Sequence, residues 1–155
     1  MKRIALTQGK FALVDDEDFD WLNQWKWYFA KPGYAKRDEG GRKNRKHVLM
    51  HRLIMSTPKE KGTDHIDGNG LNNQRNNLRN ASILENNRNL LSRKDNKSGF
   101  KGVYWHSAIK RWAAQIKFNG KQLYLGSFNS KIEAAKTYNQ AAIKYYGSFA
   151  CLNKL

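Results

Sequence analysis

Acidic residues are scarce in this chain: 13 Asp and Glu stand against 29 Lys and Arg, for a formal net charge of +16. Charge of that sign and size disfavours cationic partners and favours polyphosphates, with a plain solubility charge or an anionic membrane surface as alternatives. Cysteine is nearly missing. Cys151 stands alone, so no internal disulfide can form, a structural zinc set built on paired cysteines is excluded, and a reducing cytoplasm is expected. No apolar run approaches the roughly 20 residues that span a bilayer, so no membrane partner is expected. The opening Met1-Lys2-Arg3-Ile4-Ala5-Leu6 lacks the apolar stretch of a secretory signal. Low-complexity tracts and internal repeats are also lacking.

Aromatic residues, by contrast, are plentiful. Five Trp, seven Tyr and seven Phe in 155 residues, with 39% hydrophobic residues, argue against global disorder. The length permits one ordinary domain or two small ones. Aromatic and basic residues interleave throughout, a pattern suited to nucleic acid. Asp15, Asp16, Glu17, Asp18 and Asp20 form one acidic cluster. After Asp95 the only acid is Glu133, against ten basic residues, so the C-terminal part is a candidate docking surface in its own right.

Periodicity divides the chain. Residues 3–14 alternate around Gln8-Gly9 and predict a hairpin. Asp16 to Leu22 predicts a short helix with acids in its first turn. Trp25, Trp27 and Phe29 alternate with Lys26, Tyr28 and Ala30 and predict a strand. Lys31-Pro32-Gly33 turns the chain and Tyr34 to Arg37 returns it. A basic loop runs from Glu39 to Lys46, and His47 to Met55 is a short apolar segment, part strand and part helix. The three early Trp are expected to fill a small core rather than to stack on bases. Residues 91–98 lose hydrophobic period and read as a linker between a domain at 1–90 and one at 99–155. In the second, Val103–Trp105, Trp112–Lys117 and Gln122–Leu125 predict three strands, with Asn119-Gly120 as a hairpin turn. Ser130-Lys131-Ile132-Glu133 predicts a capped helix that presents Ala134, Tyr138, Ala141, Ala142 and Tyr145 on one face and stops at Gly147.

The densest chemistry lies in Asp64-His65-Ile66-Asp67-Gly68-Asn69, followed by Asn72-Asn73, Asn76-Asn77-Leu78-Arg79 and Asn86-Asn87. A carboxylate, an imidazole and several amides can hold one hard divalent cation beside one general base. Neighbours on an extended strand point to opposite faces, so Asp64 can bind a metal while His65 meets substrate. Asp67-Gly68 reads as a turn only. His51, in an apolar segment, reads as structural. His47 and His106 lack catalytic spacing.

The run resembles the HNH endonuclease pattern in the variant that ends in Asn, as found in phage and intron homing enzymes. The likeness covers residues 47–90, with Met50-His51-Arg52-Leu53-Ile54-Met55 resembling the segment upstream of the motif. It implies a ββα-metal fold and a Mg2+ or Mn2+ cofactor, with Asp64 and Asn86 as metal ligands, His65 as general base, and Asn77 holding the loop and orienting His65.

Residues 98–153 resemble the plant ethylene-response-factor (Apetala-two) DNA-binding domain. Gly102-Val103, Trp112 to Ile116, Tyr124 to Phe128, Glu133-Ala134-Ala135, Tyr138 and Gly147 carry the likeness. It implies a three-stranded sheet in the major groove, backed by one helix. Lys101, Tyr104, His106, Arg111, Gln115, Lys117 and Tyr124 fall at or near the family's DNA-contacting positions. Tyr104 and His106 stand where the family carries arginines, so base preference does not transfer.

The expectation is therefore an α+β protein: an N-terminal ββα-metal nuclease domain plus a small C-terminal domain of three-stranded antiparallel sheet packed on one helix. It would cut or nick double-stranded DNA as a homing or mobile-element enzyme. A monomer without an obligate protein partner is expected, in the cytoplasm of a bacterial or phage-infected cell. The alternatives are a non-catalytic DNA-binding regulator and an RNA-directed protein.

Overall fold

A computed structural model describes residues 1–90, 92 and 95–155. Leu91, Arg93 and Lys94, which fall in the expected linker at 91–98, lie outside the described residues. The fold is mixed α and β, with several small antiparallel sheets and a few helices. It divides into two compact units, Met1–Asn86 and Asn87–Leu155.

The first unit opens with strands β1 (Lys2–Ala5) and β2 (Phe11–Val14), paired antiparallel with Ile4 opposite Ala12. Alternation turns Ile4, Ala12 and Val14 inward, where they meet Leu22, Trp27, Ala35, Met50, Ile54 and Leu78 in one core. Helix α1 (Asp16–Leu22) carries Asp16, Glu17 and Asp18 in its first turn, where negative charge suits the helix dipole. Asp18 also faces inward. It is 1% exposed and accepts bonds from Trp21 Nε1 at 3.1 Å, Arg75 Nε at 2.8 Å and Arg75 Nη2 at 2.6 Å. The backbone N–H of Arg75 donates to Asp15 at 2.8 Å. Charge-assisted bonds of this kind are worth about 1.5–3 kcal/mol each. The acidic cluster thus anchors the segment that leads into Asn77.

Strands β3 (Tyr28–Ala30), β4 (Tyr34–Glu39) and β5 (Lys46–Leu49) form an antiparallel sheet in that order. The strand expected from Trp25 onward begins only at Tyr28. The turn after α1 takes up the earlier residues, with Trp25 N–H bonded to the Leu22 carbonyl at 3.3 Å and Trp27 Nε1 to the same oxygen at 2.8 Å. Of the three Trp, only Trp27 is fully in the core. Trp25 is 38% exposed, with the Arg37 guanidinium 4.2 Å from its ring centroid.

Helix α2 (Met50–Ile54) buries Met50, His51 and Ile54. Arg52 ties it to the following loop through the carbonyls of Lys61 and Pro58, at 2.7 and 2.9 Å. Strands β6 (Gly62–His65) and β7 (Leu78–Ala81) form an antiparallel pair that sets Asp64 opposite Arg79 and His65 opposite Leu78. Helix α3 (Ile83–Asn89) follows. It starts with a reciprocal cap, in which Glu85 accepts from Ser82 N and Oγ at 2.8 Å and donates its N–H to Ser82 Oγ at 3.2 Å.

In the second unit, β8 (Val103–His106), β9 (Arg111–Phe118) and β10 (Lys121–Phe128) form a sheet ordered β10-β9-β8. Helix α4 (Lys131–Tyr146) covers one face. Ser130 caps α4 by accepting from Ile132 N at 3.1 Å. Ala134, Ala135, Tyr138, Ala141 and Ala142 are its buried stripe. Small side chains let the helix lie close, and Gly102 completes the fit: a Cβ there would sit 2.1 Å from the Tyr138 ring. A bulge between Tyr124 and Gly126 resets β10, so Leu123, Leu125 and Phe128 all pack against the helix side.

His51 is 4% exposed, and burial lowers its imidazole from 6.5 to about 3, with the charges of His65 and Arg52 adding to the effect. The unfolded chain takes up that proton near pH 6.5 while the folded chain resists it down to about 3. The stability this group contributes is complete above pH 6.5 and declines as pH falls toward 3, by at most about 1.4 kcal/mol per pH unit. Urea unfolding at pH 7, 6, 5 and 4 should show a shallower acid loss for His51→Leu than for the unsubstituted protein. Parallel losses would mean that His51 accepts its proton in the fold.

Candidate functional site

Asp64 and His65 are consecutive on β6, 5% and 6% exposed, and strand geometry sends their side chains to opposite faces. Gly62 shares the face of Asp64. A Cβ built on Gly62 would lie 4.0 Å from Asn86 Nδ2, so the Asn86 amide reaches that face at the start of β6. Carboxylate and amide are thereby brought to one side of one strand, the first from β6 and the second from α3.

Arg79, the cross-strand partner of Asp64, donates to Asp64 Oδ2 from Nε at 2.8 Å and lies 2.6 Å away through Nη2. Both contacts fall on one carboxylate oxygen, Oδ2. Among the described residues no group of three His, Cys, Asp or Glu side chains converges, so a cation here would draw on amide and water oxygens beside Asp64. That oxygen set fits a hard divalent ion.

The other face of β6 holds His65 in an aromatic slot. The Tyr34 ring stacks on it at 5.8 Å between centroids and 25° between planes. His51 meets it edge-on at 4.9 Å and 77°, and Tyr34 also touches His51 at 4.9 Å. Gly70 makes room for that Tyr34 ring, since a Cβ there would lie 2.7 Å from Tyr34 Cδ1 and 2.4 Å from the Gly33 carbonyl. His65 Nε2 is 3.3 Å from Asn73 Oδ1. Burial lowers the His65 imidazole from its usual value, against the upward pull of the Asn73 bond and the Asp67 and Asp64 charges.

The loop between β6 and β7 is closed by its own side chains. Asn77 Oδ1 accepts from Asp67 N at 3.1 Å, and its Nδ2 donates to Asp67 Oδ1 and the Asn72 carbonyl, both at 2.9 Å. Asp67 also receives Asn69 N and Asn72 Nδ2 at 2.8 Å. Burial alone would raise the Asp67 carboxyl, but the bonds from Asn72, Asn69 and Asn77 and the nearby His65 hold it below the ordinary range. Asp67 is more than a turn former, since it is the acceptor that organises the loop. Asn77 holds that loop, and the bond to the His65 ring comes from Asn73. Of the residues around His65, His51 was read from the sequence as structural, and Tyr34 and Asn73 were given no role. The Asn72-Asn73 doublet inside the motif was the signal for Asn73, and nothing local pointed to Tyr34.

In the second unit, the face of the sheet away from α4 gathers most of the expected DNA-contacting residues. Pairing sets His106 opposite Arg111 on β8 and β9, and Tyr124 opposite Gln115 and Gln122 opposite Lys117 on β10 and β9. Tyr104 and His106 lie 6.3 Å apart, centroid to centroid, and Tyr124 is 59% exposed. Tyr104, His106, Arg111, Gln115, Lys117 and Tyr124 therefore share one face. Lys101 departs from the set. Its ammonium donates to the carbonyls of Arg88 (2.7 Å) and Leu90 just beyond α3, and burial lowers its pKa. Its backbone is pinned by Asn153, which donates to the Lys101 carbonyl at 3.1 Å.

Comparison with known proteins agrees with this division. A family model described as the AP2 domain matches residues 98–148. A protein of Acanthamoeba polyphaga mimivirus, named an uncharacterized HNH endonuclease, is 31% identical over 150 residues, 96% of this chain and 77% of that protein. Protein 3.8 of Escherichia phage T7 is 43% identical over 65 residues, 42% of this chain and 54% of its own length. An ethylene-responsive transcription factor of Arabidopsis thaliana is 45% identical over 58 residues, 36% of this chain and 14% of the factor. The chain belongs to the HNH endonuclease family and carries an AP2 domain at residues 98–148.

Proposed function

We propose that this protein is a metal-dependent DNA endonuclease in which β6, β7 and α3 form a ββα-metal site and the AP2 sheet selects where the duplex is cut or nicked. The observation that carries the reading is that Asn86 reaches the face of β6 that also bears Asp64, with His65 as the adjacent residue. Asp64 and Asn86 would hold a divalent cation, magnesium or manganese, and such an ion when bound supplies Lewis-acid polarisation of the phosphodiester and charge to match the departing oxygen. His65 would take the proton of the attacking water, and its lowered pKa keeps the imidazole in the proton-accepting form near neutral pH. The Asp67–Asn77 bonds keep the loop after His65 from moving while that proton is transferred. Arg79 holds the Asp64 carboxylate in orientation.

The division of labour follows from charge. Basic residues on the sheet face would neutralise phosphates and supply most of the affinity, while base contacts from Tyr104, His106, Arg111, Gln115 or Tyr124 would discriminate by about 1–3 kcal/mol each. The mobile-element role and the phage or bacterial host setting rest on the resemblance to homing enzymes and on the phage relative.

Two measurements test this reading. In a plasmid nicking assay with magnesium or manganese, His65→Ala should lower the rate by about 10²-fold or more while duplex binding stays within about threefold of the parent protein. Equal losses of cutting and binding would make His65 structural, and inactivity of the unsubstituted protein with every divalent metal would favour a non-catalytic regulator. On the sheet, Arg111→Ala should reduce the slope of log K against log salt by about one unit. An unchanged slope would mean that Arg111 touches no phosphate.

A further inference from the structure

Asn73 is a buried amide with no assigned task. It is 0% exposed and among the largest fully buried side chains of the chain. Its backbone is stitched to β2: Asn73 N–H donates to the Leu13 carbonyl at 2.8 Å, Leu13 N–H donates to the Leu71 carbonyl at 2.8 Å, and Leu13 and Asn72 form a parallel bridge. A side chain so held cannot drift relative to the core. Its Oδ1 points at His65 Nε2, 3.3 Å away, and among the described residues its Nδ2 has no partner.

An amide oxygen accepts and cannot donate. The imidazole nitrogen that faces it must therefore carry the hydrogen. In a neutral imidazole the other nitrogen then carries the lone pair. Tyr34 and His51 fix the plane of the ring by stacking and edge contact, but neither contact distinguishes one ring nitrogen from the other. A directional bond does, and the one to Asn73 falls on Nε2.

We infer that Asn73 is the positioning residue that sets the His65 tautomer, holding Nε2 as the N–H so that Nδ1 is the atom that accepts the proton of water. This rests on His65 being the general base. Asn77 closes the loop, Tyr34 and His51 fix the ring plane, and Asn73 chooses the nitrogen.

The test reads the tautomer apart from the chemistry. In 15N-histidine-labelled full-length protein, the ring nitrogens of His65, assigned by their loss in His65→Ala, should report an Nε2–H tautomer. Asn73→Asp keeps an acceptor of the same shape, so it should retain that tautomer and recover most of the cleavage rate. Asn73→Leu removes the acceptor. It should give a mixed or reversed tautomer and a fall of about 100-fold in single-turnover rate at saturating DNA, with duplex affinity unchanged. An Nδ1–H tautomer in the unsubstituted protein, as a rotated amide donating to Nε2 would give, overturns the inference. So does an Nε2–H tautomer that persists in Asn73→Leu, or a tautomer lost in Asn73→Asp while that variant remains folded by near-ultraviolet circular dichroism. If instead the tautomer follows Asn73 as expected but His65→Ala cleaves like the parent protein, the general-base reading fails and the geometric assignment stands.

Discussion

The reciprocal pairing of Asp67 with Asn77 is the constraint on which the site depends. Two bonds join their side chains and backbone across ten residues, at 2.9 and 3.1 Å. Asn77 also accepts Ile66 N–H through its carbonyl at 2.9 Å. A loop this rich in Asn and Gly would otherwise sample many conformations, at a cost of about 1–2 kcal/mol of backbone entropy per residue ordered. Closing it through one carboxylate and one amide fixes the exit from β6, and so fixes where His65 and Asn73 stand. The acidic residues of α1 complete the arrangement from the far side, because Asp15 and Asp18 hold Arg75 two residues before Asn77.

The two sides of β6 have different surroundings. One bears Asp64, with Arg79 across the ladder and Asn86 above Gly62. The other bears His65, walled by Tyr34 and His51 and bonded by Asn73. A single strand of four residues thus separates the carboxylate proposed to bind a cation from the imidazole proposed to accept a proton, because its side chains alternate. In the second unit the same alternation separates an apolar face, with Val103, Ala114 and Ile116, that receives α4 from a basic and aromatic face.

What could be read from the sequence was what depends on short range. The β1–β2 hairpin, α1, the capped helix α4, the Asn119-Gly120 turn and the parity of the AP2 strands all follow from spacing and turn chemistry. The spacing of Asp64, His65, Asn77 and Asn86 could be matched to the family pattern because that pattern is itself local. What was hidden is what distant segments contribute. Tyr34 comes from β4, His51 from α2, and the close approach that admits Tyr34 depends on Gly70. Lys101 falls at or near the family's DNA-contacting positions, and that its ammonium bonds to the carbonyls of Arg88 and Leu90 could not be read from spacing. The Trp25–Phe29 alternation resembled a long strand, and the hydrogen bonds of Trp25 and Trp27 to the Leu22 carbonyl took those residues into a turn instead.

The reading stands on a carboxylate and an amide that share one cation beside an imidazole. Titration of Mn2+ into 15N-labelled protein tests that directly, because the ion's unpaired electrons broaden only the nuclei near it. The account predicts that the backbone amides of Asp64 and His65 and the side-chain amide of Asn86 broaden first, and that Asp64→Asn abolishes the effect at those nuclei. Broadening centred on the acidic cluster at residues 15–20, with Asn86 left sharp, would contradict it.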